Sequence, residues 1–395
     1  MRPSLVVVAF AADRPLSPRG ERARAIAHAA AGVLPTELIG PPETPGATRR
    51  RVRQLARLAS PFMLDPWEPE AWLTLRRRRA RPLVALLVGF PFSAVYWAAR
   101  RLVSEDVPYV VDFGDPWALT RATDVPPAMG GGRALRCEEF VWRGASGGIL
   151  TTQLQADAIR RLFGDVPLLV RPNGYRAVER VAAPCDVRRP RRCLRIVHYG
   201  NLYQPRLDIV PVISRLAACG RWDTVVLTQQ GEDWTGALRR LPPSVRVELR
   251  RPQAWSEVVA AATDHDLALV VGNRNPAQLP SKAIQYLTLP IPRLAVVGPH
   301  PADALSAYVR GRPGWLTLRH DAPADLAGAA VAGHLSRPRS TESLAPPADE
   351  SWGSVAQTVL KFTLARAGER ARARPPGPRH AASRAIPAAT SSQPR

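Results

Sequence analysis

The chain has 395 residues, 46% of them hydrophobic, which suits two domains with packed cores and excludes a disordered polymer. The formal net charge is +22, nearly all of it arginine because Lys282 and Lys361 are the only two lysines; such a surface attracts polyanions, whether nucleic acid, an anionic membrane or a phosphorylated substrate. No zinc spacing or aromatic RNA-binding signature accompanies the charge, Cys137, Cys185, Cys193 and Cys219 form no CxxC pair and read as reduced thiols, and the seven histidines make no HxxxH pattern, so neither nucleic acid nor a bound metal is expected.

Strands and helices alternate from the start. Leu5–Phe10 is an apolar run suited to a central parallel strand, and reads as that rather than as a cleaved leader. The Ala-rich stretch from Gly20 to Ala31 favours helix. Residues 49–58 place Val52, Leu55 and Leu58 on one face of a basic helix. Pro82 to Ala99 carries no charge, but Gly89, Phe90 and Pro91 interrupt it. It therefore reads as a buried strand, a turn and a helix from Ser93 rather than as a membrane span. Tyr109–Asp112 is a third strand, Gly130, Gly131 and Gly132 form a turn, 135–144 is helical, and Gly148–Leu150 is a strand. Gln153–Phe163 is a helix, and Leu168–Val170 a strand ending at Pro172, Asn173 and Gly174.

Residues 178–193 are a Pro- and Arg-rich connector, and the same rhythm then restarts. Leu194–Tyr199, Thr224–Leu227, Val245–Leu249, Leu267–Val271 and Arg293–Val297 read as strands. Asp208–Cys219, Trp255–Ala262 and Ser281–Leu289 read as helices, and Trp352–Ala367 as a closing one. The expectation is an α/β protein of two doubly wound parallel sheets. Its parts are an N-terminal domain over 1–177, a linker over 178–193, a second domain over 194–340, a closing helix over 350–367 and a disordered basic tail over 368–395.

Ligands of such sheets bind at the carboxyl ends of strands. Four loops there carry candidate chemistry. In HYGNLYQPR, Gly200 and Asn201 form the turn and Arg206 precedes a helix, where it can grip a diphosphate or simply face water. In LPSKAIQYL, Ser281 can cap a helix and Lys282 sits in its first turn, a position that opposes the helix dipole unless an anion is bound. Gln285, one turn later, can reach a ribose hydroxyl. In VVDFGDPWAL, Asp115 can orient an acceptor hydroxyl or take its proton, or it caps the turn at Pro116. In RPNGY, Asn173 and Gly174 permit left-handed backbone.

Taken in order, these segments resemble the retaining glycosyltransferases of family 4, which have the GT-B fold of two facing Rossmann-like domains. GDPWAL resembles the DPW loop of one subgroup. ASGGILTTQLQADAIRRLF with VPLLVRPNGY, HYGNLYQPR, LPSKAIQYLTLPIPRLAVVG and DESWGSVAQTVLKFTL are similar to that family's successive motifs, over about Leu5 to Leu364. The resemblance implies a nucleotide-sugar donor held by Gly200, Asn201, Arg206, Ser281, Lys282 and Gln285, and metal-independent chemistry without a cofactor. It also implies a lipid-linked or polysaccharide acceptor on the first domain, near Gly20, Asn173, Asp115 and the loop at Phe90.

The chain departs from the family at three points. Gln285 stands where a Glu is usual, Ala277 stands near the expected position of a second Glu, and the N-terminal glycine-rich loop is reduced to Gly20. A non-catalytic glycosyltransferase-like binding protein and a sugar-nucleotide epimerase therefore stand as alternatives. The Arg-rich stretches at 49–58 and 72–82 suggest peripheral contact with an anionic membrane, at the inner face of the plasma membrane of a cytoplasmic protein.

Overall fold

The computed structural model describes residues 4–9, 17–40, 75, 82–89, 92–117, 127–177, 192–202, 206–337 and 344–373. The Arg-rich stretch at 49–58, most of that at 72–82, Phe90, Cys185, most of the connector and the tail from 374 lie outside these residues.

The described residues form two six-stranded sheets, each wholly parallel. The first contains β1 Leu5–Ala9, β2 Thr36–Ile39, β3 Val84–Gly89, β4 Tyr109–Phe113, β5 Gly147–Leu150 and β6 Leu168–Val170, in the order β2-β1-β3-β4-β5-β6. Helices α1 Pro18–Ala31, α2 Phe92–Ser104, α3 Pro127–Gly144 and α4 Gln153–Phe163 connect them. Both faces are covered, so the central strands are continuous apolar runs rather than alternating ones. Val6, Val8, Ala85 and Leu87 face α2, α3 and α4, while Leu5, Val7, Val84 and Leu86 face α1 and the last helix of the chain.

The second sheet contains β7 Cys193–Tyr199, β8 Thr224–Gln230, β9 Val245–Arg250, β10 Leu267–Val271, β11 Arg293–Val297 and β12 Trp315–Arg319, in the order β12-β11-β10-β7-β8-β9. Its helices are α5 Val210–Ala218, α6 Trp255–Ala261, α7 Ser281–Gln285, α8 Ala304–Val309 and α9 Ala324–Leu335. Read from β7, the order is that of a dinucleotide-binding fold, and it reverses between β7 and β10. The architecture is the expected pair of Rossmann-like domains of GT-B type.

The final helix, α10 Trp352–Ala373, leaves the second domain and packs on the first. Val355, Ala356, Val359 and Leu360 are buried beside Leu5, Val7 and Ile26. It runs past the expected end at Ala367.

Other expectations are corrected. Gly130, Gly131 and Gly132 lie inside α3 rather than in a turn. Glycine costs a helix about 1 kcal/mol relative to alanine, which burial of Val141 and Trp142 further along the same helix can offset. The Ser281 helix is five residues long and continues as a 3-10 turn over Tyr286–Thr288. Strands β2 and β12 and helices α8 and α9 were not expected. The Pro82–Ala99 segment contains β3 and part of α2, and no helix among the described residues is long and apolar enough to cross a membrane.

Candidate functional site

The site is built where the second sheet reverses order. Strand β7 is followed by Gly200, whose φ of +132° favours glycine. A Cβ there would lie 3.4 Å from Lys282 Cε, so the bare backbone forms one wall of the lysine's surroundings. Gly231, after β8, has φ of +131°, and a Cβ on it would come within 2.6 Å of the Gly200 carbonyl oxygen. Two glycines thus let adjacent strand ends stack closely.

The turn is fixed from behind. Gly200 N donates to Gln230 O at 2.7 Å, and Gln229 Nε2 donates to Gly200 O at 2.7 Å. With Nε2 used in this way, Gln229 Oε1 is the acceptor for buried His198, whose Nδ1 donates at 2.9 Å; this hydrogen-bond network assigns the tautomer. Burial, with the nearby charges of Arg206 and Lys282, lowers the His198 pKa to about 3, so the ring is neutral. Asn201 braces the same turn, its Oδ1 accepting from Glu232 N at 2.9 Å.

Lys282 enters from the short helix α7. Its Nζ donates to Gln285 Oε1 at 3.1 Å and lies 5.5 Å from the centroid of Trp255. Beneath it is an aromatic floor. Trp255 stacks on Tyr286 with centroids 6.3 Å apart, and Tyr199 meets both edge-on. Burial, aided by the charges of Arg206 and Arg176 and opposed by Glu21, lowers the Lys282 pKa to about 8. An ammonium held down in this way is stabilised by an incoming anion.

Arg206 is the second cation. Its Nη1 donates to Val271 O at 2.9 Å, and its backbone bridges Asn273 across the switch point. The expected cap at Ser281 is not formed: Pro280 occupies the N-cap position and Ser281 is the first helical residue, where its side chain is placed past the capping geometry. Gly200, Arg206, Lys282 and Gln285 are therefore brought together, with Asn201 as a brace.

The first domain supplies the opposite wall. Asp115 pairs with Arg19 and accepts from Gln278 Nε2 of the second domain. Its carboxylate is thus engaged across the cleft. Thr152 Oγ1 donates to Ala277 O at 2.8 Å, a second link between the domains. Gly20 is buried in the first turn of α1. Next to it, Glu21 pairs with Arg176 at 2.5 Å and accepts from Trp352 Nε1 at 3.0 Å. Asn173 is tied to the fold, its Oδ1 accepting from Arg22 Nη1 at 3.4 Å while Arg22 Nε pairs with buried Asp112 at 2.6 Å.

Sequence reasoning missed Glu21, Arg176, His198, Trp255 and Gln278. Gln278 lies in NPAQ, which registers in the sequence only as a lost motif. Glu21 adjoins Gly20, but its partners are Arg176 and Trp352, far along the chain. Among the described residues, no group of three or more His, Cys, Asp and Glu could hold a metal ion, and Cys137, Cys193 and Cys219 form no disulfide with one another.

No protein-family model matches the chain, and no curated protein matches it. Solved structures do. Sucrose-phosphate synthase from Thermosynechococcus elongatus is 13% identical with a TM-score of 0.61, over 94% of this chain and 98% of that one. HepE from Anabaena in complex with UDP-glucose is 14% identical with a TM-score of 0.53, over 94% and 99%. The lipopolysaccharide outer core galactosyltransferase WaaB in apo form is 11% identical with a TM-score of 0.61, over 92% and 99%. At these identities the likeness is one of fold, and it spans both Rossmann-like domains.

Proposed function

We propose that the chain is a glycosyltransferase that moves a sugar, with retention, from a nucleotide-sugar donor to a lipid-linked or polysaccharide acceptor. The observation that carries this reading is the meeting of Lys282, lowered to about 8, with Arg206 beside the Gly200 turn at the switch point. As the bond between the sugar's anomeric carbon and the diphosphate breaks, the electron pair stays on the departing oxygen. Lys282 and Arg206 are fixed cations for that charge, and such preorganised groups are commonly the largest catalytic contribution. In this reading the protein needs no metal for that step.

Gln285 has a dual part. Its Oε1 holds Lys282 in the unliganded protein, and the same amide can turn to a ribose hydroxyl when the diphosphate takes over the ammonium. Asp115 is the carboxylate proposed to orient the acceptor hydroxyl or take its proton, once its contact with Gln278 is released. Retention and the acceptor class rest on the resemblance of the ordered motifs to family 4.

The UDP-glucose in the HepE structure makes UDP the first nucleotide to test. UDP or GDP should raise the melting temperature of the wild type and not that of Lys282→Ala. Ligand at 100 times its Kd adds about 2.7 kcal/mol of stability, an easily read shift. If neither nucleotide stabilises the protein, or the variant responds equally, the donor-site assignment fails. Transfer activity should also persist in EDTA.

A further inference from the structure

A second recess adjoins the diphosphate site without belonging to it. This cavity of about 270 Å³ opens between Leu202, residues 206–209, the loop after β8 and Arg274, just beyond β10. Neither Lys282, Gln285 nor Gly200 lines it; Arg206 alone is common to both. Its walls are buried Leu202, Ile209 and Ala237, with Thr235 adding a hydroxyl. Three guanidinium groups, Arg206, Arg240 and Arg274, line it against a single carboxylate, Asp208.

That carboxylate is already committed. Asp208 Oδ2 and Oδ1 accept from Arg240 Nη1 and Nη2 at 2.8 and 3.2 Å, and Oδ1 also accepts from Val210 N at 3.0 Å. It therefore orients the Arg240 fork and leaves the recess positive. The walls are also laced in place. Trp234 N donates to Leu202 O at 3.0 Å, and Asp233 accepts from Thr235 N and Leu238 N at 3.0 and 2.8 Å. Arg274 Nε donates to Arg206 O at 3.2 Å, which ties the third guanidinium to the same rim.

We propose that this recess binds a small phosphate monoester. Arginine forks suit the planar, two-point recognition of phosphate oxygens. The volume lies just under the roughly 300 Å³ lower bound for drug-sized pockets, which fits a ligand of monosaccharide-phosphate size. The apolar walls suit a sugar body better than bare phosphate, and the Thr235 oxygen, whose proton goes to Asp233 Oδ1 at 2.8 Å, keeps a lone pair for a sugar hydroxyl. A further consequence rests on the proposed donor site: two anions flanking Arg206 repel, so each weakens the other's binding by the same factor.

The test is calorimetric titration of the full chain with glucose 1-phosphate and with inorganic phosphate. Saturable binding is expected, weakened at least tenfold in Arg240→Gln/Arg274→Gln, with UDP binding no weaker. Arg274→Gln alone, at an exposed position, provides a second variant should the double variant fold poorly, and should weaken binding severalfold. Lys282→Ala should leave monoester binding intact while removing UDP binding, which separates this proposal from the donor assignment. Tighter binding of glucose 1-phosphate than of inorganic phosphate supports the proposal, and equal binding, which marks a site for free phosphate, overturns the monoester assignment. Absence of binding, binding unchanged in the arginine variants, or binding lost in Lys282→Ala overturns it.

Discussion

Lys282 joins burial, charge and function in one side chain. Its pKa is lowered from 10.5 to about 8 in the folded, unliganded protein. A bound diphosphate favours the charged form and raises that pKa, so binding takes up a proton when the pH is above about 8. UDP affinity should accordingly be flat below pH 8 and fall roughly tenfold per pH unit above it. Lys282→Arg should flatten that profile, because a guanidinium keeps its proton throughout. The same shift has a stability side. Between about 8 and 10.5 the unfolded chain binds more protons at this residue than the native one, so Lys282 destabilises the fold fully below that window and less as pH rises through it. Lys282→Met should raise the melting temperature of the unliganded protein at pH 7 and abolish its response to UDP. His198 has the same dependence at lower pH. With its pKa lowered from 6.5 to about 3, it contributes stability above pH 6.5 that is lost as pH falls towards 3. At this scale the sequence was informative where a residue's type conflicted with its position. A lone lysine at a helix start in an arginine-rich chain is such a conflict, whereas the Glu21 pair with Arg176 becomes visible only in the folded chain.

Among the elements, the closing helix has the largest structural consequence. Trp352 lies over Gly174, where an added Cβ would come within 2.7 Å of the tryptophan backbone, and its indole donates to Glu21. Tyr175 and Ser351 bridge beside this contact. Gly174→Ala must displace backbone rather than a flexible side chain, and should destabilise the protein by about 1–3 kcal/mol, read as a lowered denaturation midpoint. Removing α10 by a stop at Ser351 exposes Leu5, Val7 and Ile26, so the shortened protein should be aggregated or unfolded in its first domain. The central strands were legible in the sequence because burial on both faces makes them unbroken apolar runs. Strands β2 and β12 were not, because each is partly exposed at a sheet edge and mixes polar with apolar residues. The glycine triplet in α3 misled because local propensity is weaker than tertiary packing.

For the whole molecule, the two domains are clasped across the cleft by Gln278 on Asp115 and Thr152 on Ala277. Gln278→Ala with Thr152→Val should widen the unliganded form, measurable as a larger radius of gyration by X-ray scattering, with the donor restoring the compact state. An unchanged radius would show that the clasp does not hold the cleft. The net charge of +22 should also make the chain bind anionic vesicles at low salt and release them at high salt. The two-domain plan was legible from the restart of the strand–helix rhythm after residue 193, but the clasp was not, because it joins loops more than 100 residues apart. The return of α10 to the first sheet has one more consequence, for biosynthesis. The second domain lies entirely within the interval between β6 and α10, so a ribosome delivers all of its strands before the first domain receives its last helix. Domains generally fold as units in the order of their synthesis. Here the domain translated first is completed last, and until the C-terminal residues emerge its apolar face is one a chaperone would be expected to cover.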